Sequence, residues 1–466
     1  MRRLRQFAAV RARTSGAIAA QMAHGREAVT RSRLRRVEGK AAARISPIDA
    51  ATLGIGVHSG QPYLITLAGV LAPGELIDAA GRPDAAGLRA RLAERIRALP
   101  VLTHRSVHRD GAWWWEPSDP DLSAHVLVEE PGPGDRGFEA VCARLLMRPL
   151  PPDRPLWEIV LVPGARPGGC GIVVRFHHVI ADGAHAVALV EGLFDRLEAD
   201  VVGEADMSTA PDRSAGAAAP TANVGSGTSA PAPSRAAVLG FRIRQFVRPW
   251  IRSRTLLGPL GPRRDAAGAS VDLADLHRGA HAAGGTIGDA FLAAVGRGLA
   301  YAIRAAGERV PATITVSQPV RLASRDGQLN SVGVMLVPVP LGGALPDAVR
   351  RISRTTNAAK PVARASGTVI RSPAAARRFD AFARHQRLIA AVVSNVPGPS
   401  RRLRLAGSQL VELLPLGPLA GNVRIGVTAA SYDGRFWIAV VTDADHVVGA
   451  AEVAERIAGA LEELAA

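Results

Sequence analysis

Short apolar runs alternate with amphipathic stretches along most of this chain. In the first half, Tyr63–Val70, Ala124–Val128, Glu158–Val162 and Gly171–Phe176 are short runs rich in β-branched and aromatic residues and read as strands. Ala86–Ala98 and Phe138–Leu146 place apolar residues three and four apart, the spacing of one helix face. Ala184–Glu198 shows the clearest helical period, through Val187, Val190, Leu193, Phe194 and Leu197. In the second half, Thr286–Ala305 and Ala450–Leu464 read as helices. Ala312–Pro319, Gly333–Val339, Ala390–Ser394, Val423–Ala430 and Trp437–Thr442 read as strands. This interleaving predicts an α/β protein (mixed α+β) with mixed sheets.

Two stretches break the alternation. Residues 201–235 are largely Ala, Pro, Ser, Gly and Thr with almost no large apolar side chains, so they cannot bury a core and read as a flexible linker. The linker divides a domain at 45–200 from a second at 236–466. Residues 1–44 form a basic arm with eleven Arg and one Lys against Glu27 and Glu38. A length of 466 residues suits two cores, and an apolar content of 47% excludes a disordered chain.

Charge changes the picture less than its total suggests. The net charge is +16, and most of it belongs to the arm, so it says little about the partner of the folded part. The arm reads as a solvated tail or as an anchor on anionic lipid headgroups, where each Arg contributes about 1 kcal/mol. Nucleic acid fits poorly, because no aromatic platform interleaves the arginines. The only cysteines, Cys142 and Cys170, give neither a disulfide framework nor a metal pattern, which favours a reducing, cytoplasmic setting. Arg11 and Arg13 interrupt the apolar start that a secretory signal would need. The best candidate span, Ser331–Leu345, is uncharged but too short and carries Pro338 and Pro340, so membrane contact would be peripheral.

The segment Phe176-His177-His178-Val179-Ile180-Ala181-Asp182-Gly183 joins an apolar strand to an amphipathic helix. Adjacent histidines on extended backbone point to opposite faces. One can then reach solvent while the other packs inside. Gly183 permits a sharp turn where a side chain would clash. Imidazole exchanges protons near neutral pH, and a positioned base contributes roughly 10²–10⁴ in rate. Plainer readings stand beside this one. The histidines could be core residues at a strand end, Asp182 could simply cap the helix, or His177, His178, Asp182 and His185 could hold a metal. Trp113-Trp114-Trp115 suggests a lipid interface, although alternation on a strand would bury one or two of these rings.

The HHxxxDG run resembles the active-site motif of the acyl-CoA-dependent acyltransferase superfamily, which includes chloramphenicol acetyltransferase and peptide-synthetase condensation domains. Ile45-Ser46-Pro47-Ile48-Asp49, Arg154-Pro155-Leu156-Trp157-Glu158, Ser394-Asn395-Val396-Pro397-Gly398-Pro399 and Ser431-Tyr432-Asp433-Gly434 resemble the SPxD, PLW, NVPGP and SYxG elements of its wax ester synthase/diacylglycerol acyltransferase branch, in that order. Some positions depart from the pattern. Gly288 replaces the Asn of an Asn-Asp pair, Pro151-Pro152-Asp153 stands where an Asp is common, and Ser317-Gln318-Pro319-Val320-Arg321 is a shifted PVSxR strand.

The resemblance implies two chloramphenicol acetyltransferase-like domains with a channel at their interface. His178 would act as general base, moving an acyl group from acyl-CoA to diacylglycerol or a fatty alcohol, with no metal or prosthetic group. His177 would pack or hydrogen-bond behind the base. Asp182 would orient the imidazole directly, as in a triad, or, as superfamily members more often do, hold the turn by pairing with an arginine, Arg175 or Arg321. Asn395 would donate to the oxyanion or brace the channel, unless it is a turn-forming residue. Trp157 would line an acyl tunnel or serve as scaffold. Contact with an anionic membrane or a lipid droplet would be peripheral. A condensation-type enzyme with another acceptor and a non-catalytic lipid-binding relative are the alternatives.

Overall fold

A computed structural model of the protein describes residues 43–55, 60–195, 234, 238, 240–241, 249–322, 330, 332–366, 372–399 and 401–466. The basic arm to residue 42 and nearly all of the expected linker lie outside the described residues. The first half contains β1 (Ala43–Arg44), α1 (Pro47–Thr52), β2 (Leu64–Leu71), α2 (Ala85–Arg97), β3 (His104–Arg109), β4 (Ala112–Pro117), α3 (Leu122–His125), β5 (Val126–Val128), α4 (Gly137–Met147), β6 (Trp157–Arg166), β7 (Gly169–His177) and α5 (Gly183–Leu193). The second contains β8 (Arg264–Asp272), α6 (Leu273–Ala282), α7 (Ile287–Ala305), β9 (Thr313–Arg321), β10 (Val332–Pro340), α8 (Leu345–Ser366), α9 (Pro373–Ala383), β11 (Val392–Val396), β12 (Arg404–Leu405), β13 (Ser408–Leu416), β14 (Ile425–Tyr432), β15 (Arg435–Asp443) and α10 (Ala450–Ala465).

These strands form two mixed six-stranded sheets, in the orders β12-β13-β2-β7-β6-β5 and β10-β9-β11-β14-β15-β8, and a small sheet β1-β4-β3. Parallel pairs occur at β5/β6, β9/β11 and β11/β14, and the remaining pairs are antiparallel. The mixed α/β architecture is the one the sequence predicts. The sheets do not divide at a single point in the chain. Strands β12 and β13, far beyond residue 235, return to the first sheet, where β13 pairs with β2. The core beneath that sheet therefore includes Leu403, Leu410, Leu413 and Tyr432 beside Leu64, Val174 and Phe176.

Three elements differ from the sequence reading for local reasons. Asp121 accepts the Ser123 N–H, which folds Leu122–His125 into one helical turn before the short strand β5. Helix α5 ends at Leu193, because the Asp195 N–H donates to Arg404 O and its carboxylate pairs with Arg95 at 2.7 Å. The three tryptophans lie on β4, where alternation buries Trp115 and leaves Trp113 and Trp114 half-buried.

Burial explains both cysteines. Each is a free, fully buried thiol, and burial pushes Cys170 up to about 12, far from the reactive thiolate range. Among the described residues, no helix is long and apolar enough to cross a membrane.

Candidate active site

Strand β7 delivers the histidine pair. His177 is its last residue, opposite Leu64 of β2, and the next N–H, that of His178, donates to Tyr63 O at 3.1 Å. The two rings take different partners, the Val179 N–H for His177 and the Asn330 side chain for His178. The His178 ring stacks on Tyr63, with centroids 4.3 Å apart and planes within 17°. It is half-buried, so it is not sealed from solvent. Burial pulls its pKa below 6.5 and outweighs the opposing pull of the Asn330 hydrogen bond and of Asp182.

His177 does other work. Its Nδ1 accepts the Val179 N–H at 3.1 Å, and burial, helped by neighbouring His178, pulls its pKa down to about 3. The neutral ring is thus engaged on the turn's own backbone.

Asp182 is the N-cap of α5 and accepts the N–H groups of Ala184 (3.1 Å) and His185 (3.0 Å). The His185 Nδ1 lies 2.9 Å from the same carboxylate oxygen. Burial raises the carboxyl's pKa, but the His185 side chain and amide together overcome that and hold it below its usual range. The expected arginine partner needs correction for Arg175. That residue is directly opposite Glu158 in the β6/β7 ladder and pairs with its carboxylate, Nε to Oε2 at 3.0 Å. The side chain of Arg321 lies outside the described residues.

Gly183 is also explained differently. It sits at the first position of α5, outside the left-handed backbone region. A Cβ there would come within 3.2 Å of Val396 Cγ2, so the glycine lets β11 approach the helix start instead of turning the chain. The same loop is seated more tightly two residues on, where a Cβ at Gly398 would stand 1.8 Å from Ser431 O. Gly398→Ala is therefore expected to lower stability by about 1–3 kcal/mol through forced backbone displacement. The denaturation midpoint measures this, and an unchanged midpoint would contradict the tight seat.

Asn395 lies on strand β11, not in a turn, and is exposed. Its Nδ2 faces the start of α7. A Cβ built at Gly288 would lie 3.8 Å from it and would meet nothing nearer than Thr286 Oγ1 at 3.7 Å. Gly288 thus leaves open the place where a side chain would stand. Trp157 is corrected from a substrate contact to scaffold. It is 1% exposed, donates Nε1–H to Leu102 O at 2.8 Å, and stacks on His125. For the metal reading, no group of three or more His, Cys, Asp or Glu converges among the described residues.

The sequence reading missed Asn330, which comes from the second half of the chain. Its Nδ2 donates to His178 O (2.7 Å) and to Asp49 Oδ1 (2.9 Å), while its Oδ1 lies 3.0 Å from His178 Nδ1. Nothing in spacing could have found it, since 152 residues separate it from the histidine. Tyr63 was missed for the same reason: only sheet register places it on the ring. Tyr63 also lines a groove between the halves, with Ile55 and Gln61 on one side and Phe379, Ala383 and Leu419 on the other.

The histidine turn sits where two mixed sheets meet, and comparison with known proteins assigns this arrangement to an acyltransferase class. Residues 45–291 match the wax ester synthase/diacylglycerol acyltransferase catalytic domain, and residues 329–465 match the C-terminal domain of the same family. The chain belongs to the wax ester synthase/diacylglycerol acyltransferase family and is an acyltransferase. A Mycobacterium tuberculosis protein named a probable diacylglycerol O-acyltransferase is 29% identical over 413 residues, covering 82% of this chain and 89% of the relative. The fold resembles that of the wax ester synthase/diacylglycerol acyltransferase from Marinobacter aquaeolei VT8, with a TM-score of 0.64 at 17% identity, covering 91% of this chain and 98% of that one. It also resembles a starter condensation domain of rhizomide synthetase solved with C8-CoA, with a TM-score of 0.55 at 12% identity, covering 91% and 94%.

Proposed function

We infer that the protein transfers a long-chain acyl group from acyl-CoA to diacylglycerol or a fatty alcohol, with His178 as general base. The observation that carries this reading is the ring itself. It is half-buried, burial pulls its pKa below 6.5 and so favours the neutral form, and it stacks on Tyr63 at the junction of the two halves. The similarity to a named diacylglycerol O-acyltransferase supports the acceptor class.

A thioester carbonyl arrives already activated, so the protein has two tasks. His178 takes the hydroxyl proton as the oxygen attacks the carbonyl carbon, and the tetrahedral oxyanion needs donors. Collapse breaks the C–S bond, and the imidazolium returns its proton to the departing thiolate. Asn395 is the candidate donor to the oxyanion or brace of the passage. Acyl-CoA is the co-substrate, and this chemistry calls on no metal or prosthetic group.

The test is thiol release by purified protein from long-chain acyl-CoA, with a panel of acceptors and identification of the ester formed. Release that no alcohol or diacylglycerol stimulates would overturn the reading. The pH dependence gives a second check. A base works only when unprotonated, and burial lowers the pKa of His178. The acid limb of kcat/KM is therefore expected below pH 6.5, with activity full above it and lost as pH falls through it. A limb at or above 6.5 would contradict the assignment.

A further inference from the structure

We propose that Asn330, held by Asp49, is the positioning residue that fixes the His178 imidazole in its Nδ1–H tautomer and so leaves Nε2 free to act as base. This rests on the reading of His178 as the base and adds the device that prepares it.

The argument is one of donors and acceptors. An Asn side chain has one accepting oxygen and one donating nitrogen. On one side, Asn330 meets two acceptors, Asp49 Oδ1 and His178 O, at 2.9 and 2.7 Å. Both need a donor, so the NH₂ group must face them. The carbonyl oxygen then faces His178 Nδ1 at 3.0 Å, and an oxygen there can only accept. The ring's proton is thereby assigned to Nδ1 and its lone pair to Nε2. A flipped amide would set oxygen against two acceptors and is excluded.

Asp49 is itself fixed. Its Oδ2 accepts the Ser46 hydroxyl at 2.7 Å, and its Oδ1 also accepts the Asn330 backbone N–H at 2.9 Å. It is 2% exposed, so this charge acts with little screening. Donation to a carboxylate places more electron density on the amide oxygen, which strengthens its hold on Nδ1–H. The ring's other near neighbours are Tyr63, stacked on its face, His177, and Asp182, which caps α5. Asn330 Oδ1 is the side-chain partner of its Nδ1, and the ring also interacts with its own backbone. Asp49 and His178 belong to the first half and Asn330 to the second, so the base is set only when the halves are assembled.

The first experiment is ¹⁵N NMR of histidine-labelled protein, with His178→Ala used to assign the signal. The expected result at neutral pH is a protonated Nδ1 and an unprotonated Nε2. A protonated Nε2 overturns the proposal whatever the activity. The second is the pH profile of the exchange Asp49→Asn with Asn330→Asp, which retains the number of charges and moves the carboxylate next to the ring. The acid limb of kcat/KM is expected to rise by about one unit or more, with KM for acyl-CoA changed less than about twofold. An unmoved limb in folded protein refutes the positioning role, because a merely structural contact would not tie the limb to this residue. If His178→Ala itself retains turnover, the base assignment fails instead, and the two failures are told apart.

Discussion

His178→Ala is expected to reduce acyl-CoA-dependent ester formation at least about a hundredfold, the lower end of what a positioned general base supplies. The same variant should lower the unfolding midpoint only moderately, by about 1–3 kcal/mol of stability, for the lost stacking on Tyr63 and the stranded Asn330 carbonyl. The ring is half-buried, and its removal leaves the turn held by Asp182 and by His177 Nδ1. Thiol release measured beside the unfolding curve separates the two effects. Loss of activity with a collapsed midpoint would mean the ring is structural. Full activity would remove the base. Burial predisposes this imidazole to its task, because it lowers the pKa and so favours the neutral ring that can take a proton from an alcohol.

Glu158→Ala should produce the largest loss of stability, about 3–5 kcal/mol. Arg175 is fully buried, and Glu158 is the carboxylate facing it across the β6/β7 ladder, with Arg148 joining at 2.9 Å. Removing the carboxylate strands a guanidinium in the core, left with the carbonyls of Leu145 and Arg148. Burial already pulls the Arg175 pKa down, and Glu158 is what opposes that. The check is urea denaturation, in which the midpoint should fall sharply. A loss under about 1 kcal/mol would show that water reaches the pair. Replacing both members by apolar residues should cost far less than replacing one, since the penalty belongs to the uncompensated charge.

Elements whose pattern is local were legible from residues alone. Helix α7 was found almost to the residue, because its apolar period is regular and Thr286 and Asp289 form a capping box. Strand β7 was found because it is a continuous apolar run ending in polar residues. Helix α8 was not, since its exposed arginines and internal Pro361 hide its apolar stripe. Strand β13 carries Pro415 and pairs with a strand more than three hundred residues earlier, which no periodicity reveals. The site divides the same way. The histidine turn, its cap and its glycine were visible as a motif. Tyr63 and Asn330 were not, because register and a contact between halves create their roles. The motif left Trp157 open between tunnel lining and scaffold, because an apolar ring looks the same in sequence whether it lines a passage or fills a core.

The return of β13 to the first sheet has a cost during synthesis. Strand β2 leaves the ribosome early, and until Ser408–Leu416 arrives its outer row of backbone groups has no ladder partner. At roughly 5–20 residues per second, that wait lasts on the order of twenty to seventy seconds. A nascent chain halted in this window carries an adhesive border, and a fragment ending before residue 404 would keep it permanently.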